Sequence, residues 1–221
     1  MAGPEHLDPE YAAGFDRKSA FDPGPDLDVL RRQGFGGAST IVDLGAGTGE
    51  FAIAAARLCR RVVAVDVSPA MLQVLRRKLE EHDIANVEVV AAGFLTYEHR
   101  GDAADFVFSK NALHHLPDFW KAVALERIAS LLKTGGVLRL RDLVYSFEPR
   151  DRESLIDSWL SAAPANAAVG WTRGELETHV RDEFSTYSWL LEAMLSRAGF
   201  EIRDAEYAES KVFAAYTCVR V

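Results

Sequence analysis

Residues 41–51 read Ile-Val-Asp-Leu-Gly-Ala-Gly-Thr-Gly-Glu-Phe, an apolar run that passes into glycines at alternate positions, Gly45, Gly47 and Gly49, before a helix-forming stretch. Glycine turns the backbone tightly and lets a ligand come close to main-chain atoms. A strand followed by such a turn and a helix opens an open α/β sheet, in which ligands bind at the carboxyl ends of the strands where the strand order reverses. Seventeen residues beyond Gly49, at the end of the next apolar run, Asp66 is suitably placed to accept from both hydroxyls of a ribose.

Outward from this turn the pattern repeats. Short apolar runs at 40–44, 61–67, 87–92, 104–109 and 136–142 alternate with helical stretches at 49–58, 69–81 and 119–132, which predicts strand–helix units in a parallel sheet. Ser68 and Pro69 form an N-cap and first-turn pair. Asp118 after Pro117 is expected to cap the third helix, which Gly135 and Gly136 end. Beyond 142 the pattern changes. A helix at 151–160 capped by Asp151 leads to a small-residue loop, and Thr172 with Glu175 has capping-box spacing for a further helix. A helix at 185–198 and two strands at 200–208 and 212–221 complete the chain.

The whole is 221 residues with 48% apolar side chains, enough for a full core, so residues 1–221 are expected to form a single domain. A net charge of -8 argues against broad nucleic-acid binding, which needs a basic surface to neutralise phosphate. The longest uncharged run, Ser158 to Thr172, carries Pro164 and Asn166 and falls short of the roughly 20 apolar residues of a membrane span. The N-terminal residues show no signal-peptide pattern, and two distant cysteines make no disulfide framework. A cytoplasmic protein, monomer or homodimer, is the expectation.

Two cofactor classes use such a turn. The dinucleotide fingerprint GxGxxG has Glu50 where its third glycine belongs, and a carboxylate there would repel a pyrophosphate; a nicotinamide-dependent oxidoreductase is disfavoured. A cationic sulfonium cofactor with a free amino group prefers carboxylates near the turn, and Asp43 supplies one. With VDLGAGTG, VVAVDVSPAML, DFVFSKNALHHLPD and LLKTGGVLRLRDL in this order and spacing, the chain resembles the class I S-adenosylmethionine-dependent methyltransferases over most of its length. The resemblance implies a doubly wound, seven-stranded, mainly parallel sheet closed by an antiparallel hairpin. It further implies S-adenosylmethionine as cofactor, S-adenosylhomocysteine as product, and a methyl acceptor, here read as a small molecule.

Carried over by position, Gly45, Ala46 and Gly47 would approach the methionine part of the cofactor, Asp43 would orient its amino group and Asp66 its ribose. Val67 would pack on the adenine, and Met71 would lie below that ring or belong to the helix core. Many relatives place an acidic residue after the third strand, whereas Gly93 stands here, so adenine contact falls to backbone amides and to Phe94, itself open to a reading as a core aromatic. Lys110 and Asn111 follow the fourth strand, where the family contributes a main-chain carbonyl and the acceptor pocket begins. No NPPY run stands there.

Methyl transfer can proceed by positioning and desolvation alone. If the acceptor must lose a proton, His114 or His115 is the first place to look for a base, against the plainer reading of one packed histidine. Asp142 and Tyr145 are candidates for the pocket wall, or else a loop cap and a packing aromatic. Arg139 and Arg141 are expected to pair with carboxylates, Asp142 and Glu148 being near in sequence, with recognition of an acidic substrate as the alternative. The segment 179–189 mixes polar and aromatic groups as a pocket wall does, and it overlaps the end of a helical insertion expected at 143–185 over the active site. Residues 1–36 are expected to form lid helices, with Tyr11 and Phe15 facing inward. No metal-ligand spacing such as HExxH is present, although distant parts of the chain could assemble a cation site. The different-class alternative is a non-catalytic protein of the same fold that acts through a partner, suggested by Gly93.

Overall fold

A computed structural model describes residues 7–221; the first six residues of the expected lid lie outside it. Helices α1 (Pro9–Ser19) and α2 (Gly24–Arg32) precede β1 (Thr40–Leu44), α3 (Glu50–Ala56), β2 (Arg61–Asp66), α4 (Pro69–Glu81), β3 (Val87–Ala91), β4 (Ala104–Lys110), α5 (Asp118–Leu131) and β5 (Leu132–Tyr145). Then come α6 (Arg152–Ser161), α7 (Arg173–Asp182), β6 (Thr186–Tyr187), α8 (Ser188–Arg197), β7 (Phe200–Tyr207) and β8 (Phe213–Arg220). The sheet runs β3-β2-β1-β4-β5-β8-β7, with β6 paired to β5 off this path. Strand β1 pairs in parallel with both β2 and β4, so the order reverses beside it.

β1 is buried at every position, as expected of a strand covered on both faces, and its side chains alternate between two cores. Val42 and Leu44 join Val63, Val65 and Val107 under α5 and α8. Ile41 joins Val62, Ala64, Phe106 and Phe108 under α2, α3 and α4; Phe51 stacks on Phe108 there with ring centroids 3.6 Å apart. The expected doubly wound sheet is thus present, with one short strand more than seven.

Several boundaries differ from the sequence reading for identifiable reasons. Strand β5 extends past 136–142 in both directions, since β4 pairs with Leu132 through Ala104 at one end, and β8 with Leu143 and β6 with Val144 and Tyr145 at the other. That pairing also turns the start of the expected 185–198 helix into β6. Asp118 is the first residue of α5, not its cap; its carboxylate accepts from Lys121 Nζ at 2.7 Å and Thr186 Oγ1 at 3.1 Å. Asp151 makes no capping bond because a turn of 3₁₀ helix precedes α6. Ser68 does cap α4, accepting from the Met71 amide at 3.1 Å, and Glu175 Oε2 accepts from the Thr172 amide at 2.8 Å.

The partners expected for Arg139 and Arg141 are corrected. Both reach Asp26 of α2, at 3.0 Å and 2.5 Å, and Arg139 also reaches Glu206 at 2.8 Å. Residues 139 and 141 share the strand face turned to α2, while Asp142 points to the opposite one. Asp26 is fully buried, and removing one member of a buried ion pair leaves the other charge uncompensated. Asp26→Asn is therefore expected to lower unfolding stability in urea by about 3 kcal/mol; a loss too small to measure would mean that Glu206 alone neutralises Arg139.

Candidate active site

The turn after β1 folds back on β2, with the Gly45 and Ala46 amides donating to the Val65 carbonyl at 2.9 Å and 3.0 Å. Gly45 has φ +78°, and a Cβ there would fall 2.4 Å from that of Ala112 in the loop after β4. At Gly47, φ is +54° and a Cβ would meet nothing within 4 Å, which leaves room for a ligand against the backbone. Asp43, at the carboxyl end of β1, is 2% exposed, and its Oδ2 has no hydrogen-bond partner among the described residues. Burial, reinforced by the charge of Asp66, pushes its pKa up to about 8. A buried carboxyl oxygen without a donor costs stability that a purely structural residue would not retain.

Asp66 ends β2, accepting from the Gly47 amide through Oδ2 and from the Ser68 amide through Oδ1, each at 2.8 Å. A carboxylate has roughly four acceptor positions, so capacity for ligand hydroxyls remains. Val67 beside it is exposed. A Cβ on Gly93 would lie 2.7 Å from Val67 Cγ1, so a side chain at that place would require the exposed Val67 side chain to move. Phe94 is half-buried against the main core, and its carbonyl accepts from Arg127. Met71 is buried between α1 and α4 with Ala12 and Val74. Glu50, the residue that breaks the dinucleotide pattern, pairs with Lys78 at 2.5 Å. Lys110 Nζ stands 4.3 Å from the Phe21 ring centroid, and burial, aided by the Arg141 charge, brings its pKa down to about 8. Asn111 turns the chain with φ +49°, and its amide donates to the Arg141 carbonyl at 2.9 Å.

Helix α1 is fastened to this turn. The Asp16 carboxylate accepts from the Thr48 hydroxyl within the glycine loop and pairs with Lys78. Lys18 pairs with Glu175 of α7, and Phe15 meets Trp171 edge-on at 6.3 Å. Sequence alone showed none of these partners, because each joins residues more than thirty positions apart.

Beyond Ala112, a second buried cluster forms. Asp142 accepts from the Leu113 amide at 2.8 Å and the His114 amide at 3.2 Å, and pairs with His114 Nδ1. The other nitrogen of His114 lies 3.0 Å from Glu183 Oε2, which also pairs with His179 Nδ1; His179 Nε2 is 2.9 Å from Ser185 Oγ. Burial opposes charge on His114, but the Asp142 and Glu183 carboxylates outweigh it and bring the pKa up to about 9. Asp142 and Glu183 are correspondingly held below the ordinary carboxylate range against the effect of their own burial. His115 Nδ1 is 3.9 Å from Glu183. Tyr145 is half-buried, and burial raises its pKa, opposed by a hydrogen bond with Ser185. The structure therefore joins His114, His115, Asp142 and Tyr145 in one cluster, and adds Glu183 and Ser185, which sequence reading placed only within a polar wall.

Among the described residues, no helix is long and apolar enough to cross a membrane. The unpaired Asp43 oxygen, the open Gly47 backbone and the Asp66 carboxylate fit a cofactor with a cationic amino end and a ribose. A family model described as a methyltransferase domain matches residues 41–136. An uncharacterized methyltransferase of Mycobacterium tuberculosis is 32% identical over 160 residues, covering 66% of this chain and 77% of the relative. Trans-aconitate 2-methyltransferase of Methylobacterium radiotolerans is 32% identical over 148 residues, covering 66% and 53%. In fold, magnesium protoporphyrin IX methyltransferase of Synechocystis PCC 6803, solved with bound SAH, superposes with a TM-score of 0.66 at 16% identity, covering 90% of this chain and 82% of that one. With the motif order, the sheet order and these relatives in agreement, the chain belongs to the class I S-adenosylmethionine-dependent methyltransferases and is a methyltransferase.

Proposed function

We propose that this enzyme transfers the methyl group of S-adenosylmethionine to a small-molecule acceptor by direct in-line displacement. The observation that carries the reading is the pairing of an unsatisfied Asp43 oxygen with a roof element, α1, held on the glycine loop through Asp16 and Thr48. In this reading Asp43 takes the cofactor's amino group, and Gly45, Ala46 and Gly47 pass along its methionine part. Asp66 takes the ribose, while Val67, the Gly93 backbone and Phe94 flank the adenine. Main-chain groups of Lys110 and Asn111 border the donor end, and His114, His115, Asp142 and Tyr145 line the acceptor side. When bound, the cofactor supplies a methyl carbon already activated by a positive sulfur. The chain's part is then to orient the acceptor and exclude water.

The cover supports this acceptor class. Helix α1 and the insertion at 143–185 meet through Lys18 and Glu175 and through Phe15 and Trp171, so an acceptor must fit beneath them. The acidic balance disfavours nucleic acid, and the trans-aconitate relative carries a small acceptor in its name.

Calorimetric titration with S-adenosylhomocysteine is expected to show saturable binding, weakened about tenfold or more in Asp66→Ala, because hydrogen bonds to a charged acceptor contribute about 1.5–3 kcal/mol. Unchanged affinity in that variant would displace the ribose from Asp66. Methyl-labelled cofactor incubated with enzyme and cell extract should deliver label to the low-molecular-weight fraction; label in protein or nucleic acid would overturn the acceptor class.

In the unfolded chain an aspartate loses its proton near pH 4, whereas folded Asp43 keeps it up to about 8. A folded-state pKa raised in this way makes the native state lose stability as pH rises between those values. Asp43→Asn has no proton to lose, so its melting temperature should exceed that of the parent by a margin that grows from pH 4 to 8 and then levels off. The same variant should bind S-adenosylhomocysteine more weakly. A margin constant with pH would show that Asp43 ionises normally in the fold.

A further inference from the structure

We infer that His114 Nε2, His179 Nδ1 and a Glu183 carboxylate oxygen form a binding site for one divalent cation of the zinc class, set beside the methyl-donor turn. One ligand atom from each of these three residues lies within 4.8 Å of the other two. Ligands at about 2.0–2.1 Å around a tetrahedral ion stand about 3.4 Å apart, and His114 Nε2 and Glu183 Oε2 are already 3.0 Å apart. Closing on an ion therefore requires the carboxylate to leave its present bridge between the two rings and the ring nitrogens, now within 4.8 Å, to draw together.

The surroundings are those of a metal site as much as its ligands. A ligating histidine needs its remaining nitrogen held by an acceptor, which fixes tautomer and ring plane. His114 Nδ1 is held by Asp142, which is itself pinned by three backbone amides, those of Leu113, His114 and Leu143. His179 Nε2 is held by Ser185 Oγ at 2.9 Å. The two nitrogens left over are the ones that face Glu183. His179 and Glu183 are four residues apart at the end of α7, so they share one side of the helix. The Phe184 amide donates to the His114 carbonyl at 2.9 Å, tying the second ligand loop to the first.

Charge and coordination agree with this reading. A divalent ion with two neutral imidazoles, one glutamate and Asp142 behind one imidazole makes a neutral assembly, which a buried setting favours. Two histidines and one carboxylate leave a fourth position, the arrangement of zinc sites that bind water or a substrate atom. Ala112, two residues before His114, is the residue against which Gly45 packs, so the fourth position would serve an acceptor oxygen or nitrogen next to the donor. That last role rests on the proposed methyl transfer; the ion site does not.

The test uses the full chain, stripped with a chelator and titrated calorimetrically with zinc chloride, with magnesium chloride as control and S-adenosylhomocysteine in parallel. One zinc per chain is expected, with no magnesium heat. Ser185→Ala, which loosens the orientation of His179, should weaken zinc about tenfold, and His179→Ala should abolish stoichiometric binding. Cobalt in place of zinc should give the intense visible bands of a four-coordinate site in the parent protein, a readout that survives if a variant fails to fold. Absence of zinc binding, or zinc binding unaltered in both variants, would overturn the site and leave Glu183 as a proton-bridged link between histidines. Normal S-adenosylhomocysteine binding beside absent zinc binding sinks the metal alone, whereas zinc binding without S-adenosylhomocysteine binding upholds the metal and sinks the cofactor assignment.

Discussion

A carboxyl oxygen with no partner at the end of a fully buried strand is the constraint on which this structure turns. Strand β1 needs neighbours on both sides and helices on both faces to bury its five residues, and that enclosure puts Asp43 where water cannot reach it. The charge is held off by burial and by Asp66, so the native state carries an unfavourable group at its centre. Removing the carboxylate would relieve the fold and remove the group that faces the ligand edge. Stability and binding therefore oppose each other at one side chain, a common trade at functional sites.

The rest of the ligand edge follows from how β1 leaves the sheet. Its order reverses between β2 and β4, which opens the crevice, and the turn spans that crevice by returning two amides to Val65. The near contact of Gly45 with Ala112 brings the loops after β1 and β4 together, so any ligand on the first is adjacent to groups on the second. Strand β5 then separates two kinds of chemistry by its pleat. Arg139 and Arg141 turn to Asp26 and fasten α2 to one face, while Asp142 turns to His114 on the other. A shift of one residue in register would exchange a structural ion pair for the His114 cluster.

The sheet was legible because buried parallel strands are continuous runs of valine, isoleucine and leucine, and because Ser68, Pro69 and Thr172 mark helix starts through local hydrogen bonds. The glycine turn and Asp66 were legible because their spacing in sequence is set by one strand–helix–strand unit. What stayed hidden depends on residues distant in the chain. Arg139 had nearby carboxylates in sequence, yet it meets a buried one 113 positions away along the chain; periodicity carries no information that would choose between them. Asp118 and Asp151 look like caps, but one is diverted to Lys121 and Thr186 and the other is preceded by a 3₁₀ turn. Glu183 was the hardest to see. Its spacing from His179 is visible, yet its meeting with His114 requires the insertion to fold back over the strand ends.

That fold-back joins the two halves of the site mechanically. Lys121 is buried and donates both to Asp118 and to the Phe184 carbonyl, and Thr186 reaches the same aspartate. The segment bearing Glu183 is thus anchored on α5, the helix that follows the HHLPD loop. At the other end of the insertion, Glu175 holds Lys18 of α1, and α1 holds Thr48 in the glycine turn. A chain of polar contacts therefore runs from the glycine turn through α1 and α7 to Glu183 and back to His114. Four residues, rather than the whole length of α7, separate His179 from Glu183, so movement of this helix would displace both groups from His114 together. The geometry that closes the roof is also the geometry that assembles the histidine cluster beneath it.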